Sequence, residues 1–277
     1  MTTVEMRPLS PHVGVEVSGV DLNALDDATF AVLRDAVAAH GVAFLRGQSL
    51  TPEQHIAFAR RWGEIDVNRY FPANGGHPEI AEVRKAETQQ TNIGGGWHTD
   101  HSYDQVPAMG SILLARETPP TGGDTLFAGM GAVFDSLSDG LKATLRGMRA
   151  VHSADHIYGA DGVYAKTDLG ADLKGHDEHT HAVHPAVIRH PRTGREILYV
   201  NPAFTLRFDG WTREESMPLL GYLYQQAMQD RFHCRLDWAP GSIAIWDNRS
   251  TWHCAMNDYH GHRRLMHRIT ISGEPLH

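Results

Sequence analysis

Trp97-His98-Thr99-Asp100 stands behind a triple glycine, Gly94 to Gly96. In an extended chain side chains alternate in direction, so His98 and Asp100 share one face while Trp97 and Thr99 take the other. Their Cα atoms would lie roughly 6.5 Å apart. An imidazole and a carboxylate at that spacing can converge on one cation about 2.1 Å from each donor atom. Two ligands hold a transition metal poorly, and the leading candidate for a third is His253, which closes Trp246-Asp247-Asn248-Arg249-Ser250-Thr251-Trp252-His253. Two His and one carboxylate on one side of a metal leave the other side open, as in non-haem Fe(II) oxygenases. The competing reading is a surface His-x-Asp pair, a short match that arises often by chance. With nineteen histidines in the chain, a downstream His is itself a weak signal.

Arg264 and Arg268 lie four apart on an expected final strand over 263–271, so alternation puts both on one face with Met266 between them. Leu265, His267, Ile269 and Ile271 form the opposite, mostly apolar face. Facing inward, two guanidinium groups would need anionic partners; at a solvated sheet edge they would need none. Alternation alone leaves both readings open. Their Cα atoms would be roughly 13 Å apart, room for two carboxylates or one long dianion, and the guanidinium fork suits a carboxylate. Gly122-Gly123-Asp124-Thr125 sets a hydroxyl at the start of a strand, or is an ordinary hairpin turn. His176, His179, His181 and His184 are irregularly spaced in a polar stretch and read as solvated rather than metal-binding. Cys254 reads as a small buried residue, not a nucleophile.

Elements to position these groups follow from caps and runs. A helix is expected from Asp26 or Asp27 to about His40, ended by Gly41. A second starts at Thr51-Pro52-Glu53-Gln54 and reaches about Trp62, and a third runs from Thr212 to about Gln229, each with a capping box. Two shorter helices fall near 129–137 and 139–146. Strands are expected over 42–45, 80–84, 110–116, 124–127, 149–152, 232–236, 242–246 and 263–271, with a hairpin joining 187–190 to 197–200. The low-hydrophobicity stretch 153–181 reads as a mobile surface loop and active-site lid. Many short strands with helices outside them indicate a mainly β, α+β fold: a double-stranded β-helix (jelly roll) core buttressed by helices, as a single domain over 1–277.

The chain has 277 residues, 41% hydrophobic and 21% charged, an ordinary globular make-up with length enough for a sizeable core. A formal net charge of −8 argues against nucleic acid or an anionic membrane as partner. Two cysteines provide neither a disulfide framework nor a Cys-rich zinc motif. No run approaches the ~18 apolar residues of a membrane span and none resembles a signal peptide. A cytoplasmic location is expected.

Taken in order, Ser18-Gly19-Val20-Asp21-Leu22, Trp97-His98-Thr99-Asp100, Gly122-Gly123-Asp124-Thr125, Trp246-Asp247-Asn248-Arg249 and Arg263-Arg264-Leu265-Met266-His267-Arg268 make a specific set, with ten residues between His253 and Arg264. Over nearly its whole length the chain resembles the Fe(II)/2-oxoglutarate-dependent taurine and aryloxyalkanoate dioxygenase family (TauD/TfdA-like). The resemblance implies His98, Asp100 and His253 as Fe(II) ligands, Thr125 and Arg264 at the distal carboxylate of 2-oxoglutarate, and Arg268 at the anionic end of the substrate. It implies O2 as oxidant, succinate and CO2 as by-products, and a homodimer or tetramer. Asn68, Phe71 and Gly94 stand where the taurine branch carries His, Tyr and Asn against its substrate. Taurine is therefore a poor fit, and a roomier, more apolar pocket is expected. His101 is also expected to face the substrate. Val151-His152-Ser153-Ala154 is similar to the phenoxypropionate branch. The implied reaction is hydroxylation of a small anionic substrate of sulfonate, sulfate ester or aryloxyalkanoate type.

Two other classes fit the same triad. Three N/O ligands with an open position suit a zinc hydrolase, and a closed four-ligand site would suit a non-catalytic jelly-roll protein with a structural metal.

Overall fold

The computed structural model describes residues 4–170, 172–175 and 179–277. Its frame is a nine-stranded sheet. The strands follow the hydrogen-bonded order Glu5–Pro8, Val15–Ser18, Val42–Leu45, Ile243–Asp247, Gly110–Glu117, Arg264–Ile271, His77–Lys85 and Ala73–Asn74, with Ile65–Asp66 paired to Arg264–Ile271. Facing it is a three-stranded sheet ordered His233–Leu236, Thr125–Gly129, Thr251–Ala255. Between them Phe44, Leu113, Trp246 and Met266 of the large sheet pack against Phe127 and Leu236 of the small one. This is the expected jelly-roll core.

The central strands are apolar on both faces because both faces are covered. In Gly110–Glu117, Leu113 and Ala115 turn into the barrel while Ile112 and Leu114 turn outward, under the helices Asp27–His40 and Pro52–Arg60. Fully burying an Ile or Leu side chain contributes about 1.5–3 kcal/mol, so this doubly packed strand is a rigid floor. The helices begin where the caps indicate. Asp26 Oδ1 accepts the Thr29 N–H at 2.7 Å, and Gly41 takes φ 77° as its N–H closes on Val37. Thr51–Gln54 and Thr212–Glu215 form complete capping boxes. The latter two helices end at Arg60 and Ala227, two residues short of expectation.

The stretch 153–181 carries local structure that its reading as a surface loop did not include. Among its described residues are a helical turn, Asp155–Tyr158, and a 3-10 turn, Tyr164–Lys166. Tyr158, Leu169 and Leu173 are buried with Tyr70, Phe71, Tyr103 and Phe204. Its buried apolar residues pack on an aromatic surface from elsewhere in the chain, whereas Val163 is exposed. Its described residues form a wall anchored on Tyr158, Leu169 and Leu173. Of the four histidines read as solvated, His179 and His181 are exposed, His176 lies outside the described residues, and His184 is buried with its ring Nε2 2.9 Å from the Asp104 carbonyl. No helix among the described residues is long and apolar enough to cross a membrane.

Candidate active site

Trp97-His98-Thr99-Asp100 is not a continuous strand. His98 makes an isolated antiparallel bridge and Asp100 already lies in a turn. The bridge partner is His253: the His98 N–H donates to the His253 carbonyl at 3.1 Å, and the His253 N–H donates back at 2.8 Å. Backbone pairing therefore brings the third residue to the first two. His253 rides on Thr251–Ala255, a strand the sequence reading did not assign. Two further stitches hold the motif. The Thr99 hydroxyl lies 2.6 Å and 2.8 Å from the carbonyls of Asn248 and Thr251, and the Ala255 N–H donates to Gly94 at 2.9 Å. Gly94 adopts φ 76°, and a Cβ there would sit 3.2 Å from His98 Cε1. A glycine is thus required by both the backbone and the space.

His98 Nε2 lies 3.5 Å from Asp100 Oδ1, and His253 Nε2 lies 3.7 Å from Asp100 Oδ2. One ligand atom from each of the three residues falls within 4.8 Å of the others, close enough to share one cation. The His98 Nδ1–H donates to the Gly96 carbonyl at 2.7 Å, which fixes the tautomer and leaves Nε2 as the free donor atom. Burial, then the neighbouring His98, holds His253 well below the ordinary imidazole range, so it is neutral, the form that binds a metal. Burial alone would raise Asp100, but Arg268, followed by His253 and His98, keeps it well below the usual carboxylate range. The set is one carboxylate anion and two imidazoles, that of His253 neutral.

Both arginines are buried on the inner face, which decides between the two readings of their alternation. Arg268 Nη2 is 2.9 Å from Asp100 Oδ2 and donates to Ser111 Oγ at 3.0 Å, while its Nε has no hydrogen-bond partner among the described residues. Arg264 Nε and Nη2 are buried without such a partner. Thr125 Oγ1 accepts the indole N–H of Trp238 at 3.0 Å. His98, His253, Thr125, Arg264 and Arg268 line one cavity. A buried guanidinium lacking an anion is unfavourable, so this end of the cavity could hold a carboxylate. These donor sets fit a divalent metal and a dicarboxylate together.

Gly94 lines the same cavity, whereas Asn68, Phe71 and His101 do not. The Asn68 carboxamide accepts the N–H groups of Tyr70 and Phe71, both at 2.9 Å, and so caps a turn. Phe71 packs edge-on against Tyr158. His101 has φ 60°, which swings its ring Nδ1 to 2.8 Å from Asp104 Oδ2. Alternation could not foresee that turn. A wider mouth of about 270 Å³ opens on His98 between Gly94, Ile157, Val163, Tyr164 and Phe204. Ser111 and Trp238 were missed by the sequence reading, since each acts only through a partner distant in the chain.

Facing sheets around two histidines, a carboxylate and two buried arginines define an Fe(II)- and 2-oxoglutarate-dependent dioxygenase, an oxidoreductase that uses O2. The chain belongs to the taurine catabolism dioxygenase TauD, TfdA family, whose profile matches residues 5–270. It is similar to an alkylsulfatase of Acinetobacter baylyi, 33% identical over 98% of this chain and 86% of that protein. It is also similar to an (S)-phenoxypropionate/alpha-ketoglutarate-dioxygenase of Sphingobium herbicidovorans, 33% identical over 98% and 96%. Among solved structures, a taurine dioxygenase from Burkholderia xenovorans superposes with a TM-score of 0.82 at 34% identity, over 98% of this chain and 90% of that one. Membership sets aside both the zinc hydrolase and the non-catalytic binding protein.

Proposed function

We propose that His98, Asp100 and His253 hold Fe(II), that Arg264 and Thr125 take the far carboxylate of 2-oxoglutarate, and that the substrate is a small organic anion. The observation that carries this reading is the pairing of a three-residue ligand set with a buried guanidinium, Arg264, whose Nε and Nη2 have no hydrogen-bond partner among the described residues. When bound, iron and 2-oxoglutarate supply oxidation by O2, with succinate and CO2 as by-products and a hydroxyl group delivered to the substrate. The protein positions and excludes water. The Gly96 carbonyl orients His98, Arg268 and Ser111 aim Asp100, and the Phe127 and Trp246 rings enclose His253.

At the mouth, Ile157, Val163 and Phe204 offer an apolar wall. Alkyl sulfates and phenoxypropionates, named for two relatives, each join an anionic head to an apolar body. A sulfonate, sulfate ester or aryloxyalkanoate is the class that suits this wall. The Nε of Arg268 is the group left for the anionic head. The 153–181 wall, whose Tyr164 hydroxyl accepts the Gly94 N–H at 2.9 Å, would serve as the cover over bound substrate. A cytoplasmic dimer or tetramer is the assembly proposed, checked by sedimentation.

The test is anaerobic addition of Fe(II) and 2-oxoglutarate to metal-free protein, read by the visible charge-transfer band of a chelated keto acid. The band is lost in His98→Ala and His253→Ala and weakened in Arg264→Ala. Succinate release against sulfonates, sulfate esters and aryloxy acids then identifies the substrate. Wild-type protein that folds, retains iron and gives no band would overturn the assignment.

A further inference from the structure

Lys85 ends the His77–Lys85 strand and is 1% exposed, yet its ammonium has no hydrogen-bond partner among the described residues. A fully buried ammonium without an anion is strongly disfavoured. It lies over the Tyr259 ring, whose centroid is 4.5 Å from Nζ. A ring face attracts a cation but leaves the three N–H donors of a lysine unsatisfied. The charge calls for an anion.

Register says which one. Lys85 stands directly opposite Arg264 in the antiparallel pairing. Partners across such a ladder project from the same face, with Cα atoms about 5 Å apart. Val83, on that same face two residues earlier, lines the cavity together with Arg264. Tyr259 joins the two cations. A Cβ placed on Gly123 would meet Tyr259 Cδ1 at 3.3 Å and Arg264 Cδ at 3.4 Å, so the ring beside Lys85 and the Arg264 stem border one and the same point. Neighbouring carboxylates are already engaged: Asp124 pairs with Arg235, and Asp258 accepts the Gly123 N–H at 2.8 Å and lies 3.7 Å from Arg235. Two buried cations with unpartnered donors therefore stand opposite one another on paired strands, Arg264 in the cavity lining and Lys85 on the strand beside it.

We propose that Lys85 is a second cation for the far carboxylate of 2-oxoglutarate, and that it selects a dicarboxylic over a monocarboxylic 2-oxo acid. This rests on the co-substrate role proposed for Arg264 and Thr125. A lysine ammonium on its four-carbon stem can follow a ligand that the rigid Arg264 fork grips.

The experiment is anaerobic titration of the Fe(II)-loaded protein with 2-oxoglutarate and, separately, with 2-oxobutyrate, which chelates through the same keto-acid group but lacks the far carboxylate. Lys85→Met weakens 2-oxoglutarate about ten- to hundredfold, the worth of a hydrogen bond to a charged group, and leaves 2-oxobutyrate unchanged. Lys85→Arg keeps most of the affinity. Unchanged 2-oxoglutarate binding in Lys85→Met, or an equal loss for both acids, overturns the proposal. If the methionine variant fails to fold, Lys85→Gln is read by the same criteria. Wild-type protein that gives no band with 2-oxoglutarate counts against the co-substrate site itself, a separate failure from that of Lys85.

Discussion

Arg268 and Asp100 face one another across the site, Nη2 to Oδ2 at 2.9 Å and Nη1 to Oδ1 at 3.4 Å, each residue 7% exposed. The pair keeps the carboxylate ionised and aimed with no metal present, so the proposed ligand set is preformed rather than assembled by the ion.

Breaking that pair leaves a buried charge uncompensated. Arg268→Met is expected to cost the metal-free protein about 3–5 kcal/mol, part of which Co(II) restores by binding only the folded state. Ser111→Ala, removing one neutral partner, costs about 1 kcal/mol. Urea denaturation with and without Co(II) measures both, and a wild-type curve for metal-free Arg268→Met would contradict this account.

Thr125→Val keeps the shape of the side chain and deletes the oxygen that accepts the Trp238 N–H. The stranded indole donor is expected to cost about 1–3 kcal/mol of stability. The affinity for 2-oxoglutarate falls about tenfold, for one lost hydrogen bond to a charged group. Denaturation and anaerobic titration report the two effects separately.

At Gly94, alanine is strained by φ 76° and crowds His98 Cε1. Gly94→Ala should lose about 1–2 kcal/mol and shift the visible spectrum of the Co(II)-substituted protein as His98 tilts. Gly96→Ala is the control, because a Cβ there meets nothing within 4 Å. Identical Co(II) spectra for the two variants would remove Gly94 from the list of residues that shape the site.

Buried histidines set the acid limit. His55 is lowered to about 3 by burial, then by Arg116 and His267, and His267 is lowered to about 4 by burial and then Arg116. The unfolded chain takes up these protons near pH 6.5 while the folded chain does not, so stability is complete above pH 6.5 and declines as pH falls toward 4 and then 3. Each histidine adds a slope of about 1.4 kcal/mol per pH unit in its window. The thermal midpoint is expected to drop between pH 7 and pH 5, and His55→Leu should flatten that dependence. A pH dependence left unchanged by this substitution would mean that His55 takes up its proton alike in the folded and unfolded chains.

Local signals in the sequence were enough for the helices, since Asp26, Thr51 and Thr212 cap with their own neighbours and need nothing distant. Apolar runs marked the central strands for a similar reason: a strand covered on both faces has few polar positions. The spacing of His98 and Asp100, and the shared face of Arg264 and Arg268, were likewise readable one segment at a time. Only tertiary structure decided the rest. Alternation could not say whether the arginines faced water or the barrel, because that depends on the sheet packed opposite. Nothing near His253 marks it as the backbone partner of His98, and the polar stretch 153–181 hides a wall built on aromatics from elsewhere. Lys85, Ser111 and Trp238 take their meaning wholly from neighbours distant in the chain. Period and caps are properties of one segment, whereas burial, register and the sharing of an ion belong to pairs of segments that meet only when the chain folds.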